Sequence, residues 1–266
     1  MSITSPRFQK LAAAAVVLLA GASAVQAKQV QITVTSESLV PANSVSFAPL
    51  HVAFHNGMVD TFNLGEKAGP GITTIAELAS GAMWHDEIAA QQADSVRGSL
   101  GGLLMPGHST MHTFVIDTDK NQYFSFAGMV VPSNDFFIGN DSGKAYKIVD
   151  SSGNQLISNF TVQANEIWDA GSEVFDPTAA AFVAGADAMM RTPQKSVVAF
   201  NFAELAAFDG MQTAAGYQFH SGLTANQDIY RVSFQVAAVP EPETYALMGA
   251  GLMTLAMLGR RRRAKA

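Results

Sequence analysis

The chain has 266 residues, of which 16 are Lys or Arg, 22 are Asp or Glu and none is Cys. The lack of cysteine excludes disulfides, thiol nucleophiles, Cys-ligated zinc and iron–sulfur clusters. Between residues 28 and 238 the chain carries 9 basic and 20 acidic residues, a net charge of about −11, which argues against nucleic acid as a partner.

The N-terminal segment has the features of an export signal. Arg7 and Lys10 precede a short apolar run over residues 11–20, and small residues follow up to Val25-Gln26-Ala27. This order predicts a secretory signal peptide over residues 1–27, cleaved after Ala27. The apolar run is too short for a membrane-spanning helix, which needs about 20 residues.

Alternating apolar residues predict strands along residues 28–238. Val30, Ile32 and Val34 have the period of a half-buried strand, and Leu50 to Phe54 form a second apolar run. A short helix is predicted from Ile72 to Leu78, capped by Thr73 or Thr74. The next polar stretch, Met83 to Glu87, is expected on the surface.

Later segments predict paired strands. A glycine-rich loop from Gly98 to Gly107 precedes two strands, Met111 to Ile116 and Tyr123 to Val131, which are expected to form a hairpin. Further strands are predicted around a turn at residues 150–153, over residues 197–202, and where Tyr230, Val232, Phe234 and Val236 alternate. The pattern predicts an all-β fold, an antiparallel β-sandwich with one short helix and long loops.

The C-terminal 28 residues, 239–266, form a separate unit. They contain Pro240-Glu241-Pro242, an apolar stretch from Tyr245 to Leu258 and an arginine cluster at residues 260–263. A basic cluster of this kind stays on the cytoplasmic side of a membrane. The segment resembles the PEP-CTERM sorting signal, which implies an exosortase as processing partner and a cell-surface destination. A permanent tail anchor is the alternative.

Two motifs in the domain resemble a known family. Residues 125–139 read Ser-Phe-Ala-Gly-Met-Val-Val-Pro-Ser-Asn-Asp-Phe-Phe-Ile-Gly, and residues 167–173 read Ile-Trp-Asp-Ala-Gly-Ser-Glu. In this order they are similar to the signature of the spondin domain, the N-terminal domain of F-spondin and mindin. One departure is Asn134, where the family has a second proline. The resemblance implies a domain over residues 28–238 with the spondin-type sandwich fold.

The resemblance also implies a metal site. Members of the family hold Ca²⁺ at the loops of one end of the sandwich, and the motifs place Asp135 and Asp169 at ligand positions. A third ligand lies on the preceding strand in the family, and Asp117 is the candidate here. Calcium takes six to eight oxygen ligands, so two or three carboxylates with loop carbonyls and water suffice.

A simpler interpretation treats these residues as turn formers. Aspartate before Ala-Gly or after Ser-Asn often accepts hydrogen bonds from its own backbone. The nearby Asp141 and Glu173 are expected to be turn or solvated residues. The four phenylalanines at positions 124, 126, 136 and 137 are expected in the core.

The leading hypothesis is an exported, non-enzymatic protein that binds calcium and mediates adhesive contacts with exopolysaccharide or other surface partners. An extracellular hydrolase using a metal, His85 or His108 is a second hypothesis, although no His-Glu-x-x-His or Gly-x-Ser-x-Gly motif is present. A structural matrix component without metal is the third.

Overall fold

The computed structural model describes residues 29–239 and 249–253. Within them, twelve strands form two antiparallel sheets, one ordered β5-β1-β12-β9 and one ordered β11-β10-β7-β6-β3-β4, with β2 and β8 also pairing with β6. This confirms the predicted all-β sandwich. The strands are β1 (Gln29–Ser38), β2 (Ser46–Phe47), β3 (Leu50–His55), β4 (Val96–Leu100), β5 (Ser109–Asp117), β6 (Tyr123–Val131), β7 (Phe136–Gly139), β8 (Tyr146–Lys147), β9 (Asn159–Gln163), β10 (Trp168–Asp169), β11 (Ala199–Phe200) and β12 (Asp228–Ala238).

The first and last long strands are neighbours. β1 pairs with β12 from Val30 opposite Ala238 to Ser38 opposite Tyr230, without interruption. Their apolar residues point inward and most of their polar residues outward, because successive side chains of a strand face opposite sides of the sheet. The exceptions are Ser36 and Ser38 of β1, which are buried. The pairing ties both ends of the predicted domain into one sheet.

The larger sheet is covered on its outer side by helices, so β3 and most of β6 are buried on both faces. Helix α1 (Pro70–Leu78) confirms the predicted helix, but the predicted cap is wrong. Gly69 is the N-cap and Pro70 opens the helix, where a missing N–H costs no hydrogen bond. Thr74 instead donates its hydroxyl to the carbonyl of Pro70 within the helix.

A second helix, α2 (Ala82–Gln91), contains the segment 83–87 that was expected to be polar surface. Trp84 in this segment is fully buried, together with Ile88 one turn later. They pack with Ile72 and Ile75 of α1 against Phe137 of the sheet. The prediction was wrong because the three polar residues after Trp84 outweighed, in the sequence, the one large side chain that faces the sheet.

The predicted hairpin of β5 with β6 is also wrong. β5 pairs with β1 in the four-stranded sheet, whereas β6 pairs with β3 in the other, so the turn between them crosses from one layer to the next. The side chain of Gln92 and the backbone of Asp94 hold Asn121 at this crossing. Part of the predicted glycine-rich loop is strand β4, which pairs with β3.

Two apolar clusters fill the molecule. The main core lies between the sheets and includes Phe124, Phe126 and Phe136, and a second core lies between the helices and the large sheet and includes Phe137. All four phenylalanines are therefore core residues, as predicted. The turn at residues 150–153 is present, closed by the N–H of Asp150 donating to Asn154, but β9 after it pairs with β12.

The predicted signal peptide and most of the C-terminal tail lie outside the described residues. Residues 249–253, within the predicted apolar stretch, are helical. Across residues 29–239 and 249–253, no helix is long and apolar enough to span a membrane.

Candidate metal centre

Asp135 lies in a tight turn between β6 and β7, and side chains hold each residue of this turn. Ser133 donates its hydroxyl to the carbonyl of Val130 and accepts from the N–H of Phe136 at 3.1 Å. Asn134 accepts from the N–H of Asp176 at 3.1 Å and donates to its carbonyl at 3.2 Å. The turn is therefore rigid, and it directs Asp135 into the interior, where its side chain is 1% exposed.

Asp169 reaches the same place from another part of the chain. β10 pairs with β7 so that Asp169 lies opposite Phe136, the residue after Asp135. The carbonyl of Asp135 accepts from the N–H of Ala170 at 3.1 Å. Sheet pairing thus brings together the two aspartates that the motifs single out.

The Ala-Gly-Ser-Glu segment after Asp169 wraps around the Asp135 carboxylate. Oδ2 of Asp135 accepts from the N–H groups of Ser172 and Glu173 at 2.7 and 2.9 Å, and from the hydroxyl of Ser172 at 3.1 Å. Gly171 permits this path because its φ is +63° and a Cβ there would lie 2.8 Å from the carbonyl oxygen of Val197. The second motif therefore acts as a cradle for the aspartate of the first.

A third carboxylate, Glu204, belongs to the same group and was not predicted from the sequence. It lies in the short helix α3 (Ala203–Ala207), which follows the edge strand β11. The amide of Asn201 donates to Glu204 Oε1 at 2.5 Å and to Asp169 Oδ2 at 3.4 Å. No spacing or motif in the sequence connects residue 204 to the aspartates, because sheet pairing through β11 alone creates the contact.

The negative charges of Asp135, Asp169 and Glu204 lie close enough together to repel one another. Burial, and then the charge of Asp169, raises the pKa of Asp135 to about 6, although three hydrogen bonds oppose the rise. Burial, and then the charges of Asp169 and Asp135, raises the pKa of Glu204 to about 7. Within the described part of the chain, no lysine or arginine forms an ion pair with any of the three.

The hydrogen bonds leave specific oxygens open. All three donors to Asp135 bind Oδ2, and the donor to Glu204 binds Oε1, so Asp135 Oδ1 and Glu204 Oε2 have no donor in residues 29–239. A carboxylate oxygen without a donor can bind either a proton or a cation. The donor set of carboxylates, an amide and loop carbonyls consists of the hard oxygens that Ca²⁺ prefers.

The carboxylates do not form a complete site on their own. Among the described residues, no group of three or more His, Cys, Asp or Glu side chains has the proximity needed to hold a metal ion. A bound Ca²⁺ would therefore draw most of its six to eight oxygens from elsewhere, including the Asn201 side chain, backbone carbonyls and water.

Asp117 is not part of this group. It ends β5 opposite Gln29, accepts from the N–H of Asp119 at 3.0 Å and lies 4.0 Å from the ammonium of Lys120. The nine residues of β6 separate this turn from the turn that holds Asp135, a length of about 30 Å. The structure therefore brings Asp135 and Asp169 together and leaves the candidate third ligand at the opposite end of the sandwich.

Glu173 is buried rather than solvated, so the expectation for this residue was wrong. Nε of Arg191 lies 3.4 Å from Oε1 of Glu173 and 3.4 Å from Oε2 of Glu77. Burial, and then the charge of Glu77, raises the pKa of Glu173 to about 7. Because the N–H of Glu173 also binds Asp135, this ion pair fixes the cradle to helix α1.

The histidines named for a hydrolase lie outside this group. His85 is on α2 and its Nε2 lies 3.1 Å from the carbonyl oxygen of Gly98. Burial, with the neighbouring His51, lowers its pKa. His108 lies in the turn before β5, where its carbonyl accepts from the N–H of Ser38.

A two-sheet antiparallel sandwich with carboxylates gathered at one end is the class of domain that the motifs predicted. The Spondin_N family model matches residues 37–174, just over half of the chain, and the chain belongs to this family. Both Asp135 and Asp169 lie inside the match, whereas Glu204 lies outside it. Spondin-type domains are generally non-catalytic.

A second family model confirms the sorting signal predicted for the C-terminal segment. The PEP-CTERM protein-sorting motif matches residues 238–263. The protein is therefore exported and sorted to the cell surface, and the motif implies processing by an exosortase. No curated protein matches the chain.

Proposed function

We propose that this protein is a non-enzymatic adhesive component of the cell surface whose spondin domain is stabilised by one Ca²⁺ at the end of the sandwich. Asp135 and Asp169 would be its carboxylate ligands, with Asn201, backbone carbonyls and water completing the shell and Glu204 adding negative charge beside them. The sorted surface position would present the loops around the ion to exopolysaccharide or another surface partner. The observation that supports this proposal is the buried Asp135, whose pKa is raised, beside Asp169, with no cationic partner for either residue among the described residues.

The chemical contribution of the ion would be structural. Ca²⁺ supplies two positive charges where the described residues supply none, so it would neutralise the repulsion among Asp135, Asp169 and Glu204. The turn of Asp135, the cradle of residues 170–173 and helix α3 come from separate parts of the chain. An ion bound between them would fix the loops at this end of the sandwich in one arrangement.

Thermal unfolding with and without calcium tests the proposal. Calcium at about 100 times its Kd would stabilise the folded state by about 2.7 kcal/mol, a rise in Tm of about 5–10 °C for a domain of this size. Asp135→Asn should abolish most of that rise, since an amide keeps the hydrogen bonds to residues 172 and 173 but lacks the charge. Magnesium at the same concentration controls for ionic strength.

Asp117→Asn is the matched control, because it removes an aspartate that the structure places far from the others. It should leave the calcium-dependent rise in Tm unchanged. If calcium does not change the Tm of the parent protein, the metal assignment is wrong and a structural matrix component without an ion is favoured. If Asp117→Asn removes the effect and Asp135→Asn does not, the ion binds at the other end of the sandwich.

A further inference from the structure

Strand β5 is an edge of the four-stranded sheet, and β4 of the other sheet approaches it without pairing with it. Nine residues pair with β1 on one side in an unbroken register, from Ser109 opposite Glu37 to Asp117 opposite Gln29. On the other side, no backbone hydrogen bond from residues 29–239 or 249–253 reaches residues 109–116. Natural proteins usually protect such an edge with lysine, proline or a bulge, because its free N–H and C=O groups pair readily with another strand.

None of these protective features is present in β5. Residues 109–116 read Ser-Thr-Met-His-Thr-Phe-Val-Ile, with no proline, lysine, arginine or acid. Met111 is 66% exposed and Val115 is 44% exposed. Two large apolar side chains thus lie in water on the outer face of a straight edge.

The other sheet edges of the molecule are better protected. β4 has five residues and carries Arg97, and β11 has only two residues. β9 has five residues and its register with β12 shifts between Asp228 and Tyr230. Among the edge strands of the described residues, β5 is therefore unusual in being both long and without a protective feature.

The sequence of β5 is complementary to itself. When two copies pair antiparallel about a two-fold axis at Thr113, each Met111 lies opposite Val115 of the second copy, and each Ser109 lies opposite Asp117. Directly opposed apolar side chains stabilise a strand pair, and no like charges face each other. The hydroxyl of Thr113 already points to the outer face, where its Oγ1 lies 2.9 Å from that of Thr33.

We propose that β5 is a homotypic interaction surface, through which two copies of this chain pair edge to edge and join their four-stranded sheets into one of eight strands. This partner goes beyond the proposed function and does not depend on calcium. Charge does not oppose pairing along this edge, because β5 is neutral along residues 109–116, whereas domains with a net charge of about −11 repel each other over the rest of their surface.

The expected association is weak, because one nine-residue strand pair buries less surface than the 1,200–2,000 Å² or so of a standard stable interface. Copies concentrated on a cell surface would still pair. Added salt should strengthen the dimer, since it screens the repulsion between acidic domains and has little effect on a neutral edge.

Analytical ultracentrifugation of the exported protein over a range of concentrations measures the association. We expect a reversible monomer–dimer equilibrium, with a Kd that Val115→Lys raises at least tenfold. Leu64→Lys is the matched control, because Leu64 is also 44% exposed but lies in a loop, and it should leave the Kd unchanged. Circular dichroism checks that both variants fold.

Cysteine cross-linking tests the register, since the natural chain has no cysteine. Thr113→Cys should give a disulfide-linked dimer under mild oxidation, because the two sulfurs would meet at the two-fold axis. Gln235→Cys lies on the outer face of the same sheet, on the interior strand β12, and should cross-link far more slowly. A protein that stays monomeric at every concentration, or equal cross-linking of the two variants, would overturn the proposal.

Discussion

At the scale of single residues, the site depends on which oxygens of Asp135 and Glu204 receive hydrogen bonds. The motifs identified Asp135 and Asp169 because both residues belong to short local segments. Glu204 could not be found in that way, because its contact requires β11 to pair with β10. Asp117 was chosen by its position in an aligned strand, and the nine residues of β6 separate the turn after that strand from the turn that holds Asp135.

The raised pKa of Asp135 predicts how calcium binding and stability depend on pH. Without calcium, the folded state holds a proton on Asp135 up to about pH 6, whereas the unfolded chain releases it near pH 4, so stability falls as the pH rises through this window. A shift of this size corresponds to about 2–3 kcal/mol. If calcium binds as proposed, it competes with that proton, so its affinity should rise with pH.

Isothermal titration calorimetry at pH 5 and pH 7.5 measures this dependence. We expect calcium to bind at least tenfold more weakly at pH 5, because protons then occupy Asp135 and Glu204. Urea unfolding without calcium should show the opposite trend, with greater stability at pH 5 than at pH 7.5. A calcium affinity independent of pH would mean that the ion does not lie beside these two carboxyl groups.

At the scale of elements, the strands β1, β3, β6 and β12 were predictable from their apolar periodicity, and their neighbours were not. Neighbouring strands in sequence usually pair, and nothing local in residues 117–121 shows that the chain changes sheets there. The helix α2 was missed because its apolar face is narrow, with two buried residues among polar ones. This segment is helical because Trp84 and Ile88 are buried against α1 and the sheet, and helical periodicity alone does not show this.

Trp84 tests the role of α2 in holding the helical layer on the sheet. Trp84→Ala should lower the free energy of unfolding by about 3–5 kcal/mol, because it leaves a large cavity between the helices and the sheet. Leu78→Ala on α1 is the control. Its side chain is 50% exposed, so we expect a change within about 1 kcal/mol. Equal effects in urea unfolding would mean that α2 is not packed as described.

At the scale of the whole molecule, the sequence predicted a sandwich between an export signal and a sorting tail, and the family matches confirm the domain class and the tail. The connectivity of the sheets was not predictable, since it depends on which strands meet across the core. That connectivity determines where the site and the open edge lie. It places the ends of β6, β10 and β11 at one rim, where the carboxylates collect, and leaves β5 as an open edge.

The central claim is that residues 135 and 169, from separate segments, bind one cation at this rim. Terbium luminescence tests it most directly, because Tb³⁺ replaces Ca²⁺ at oxygen sites and emits when a nearby tryptophan is excited, and Trp168 directly precedes Asp169 in β10. We predict saturable emission that calcium competes away, that Trp168→Phe strongly reduces and that Asp135→Asn abolishes. Absence of saturable emission, or emission that survives Asp135→Asn unchanged, would contradict the account.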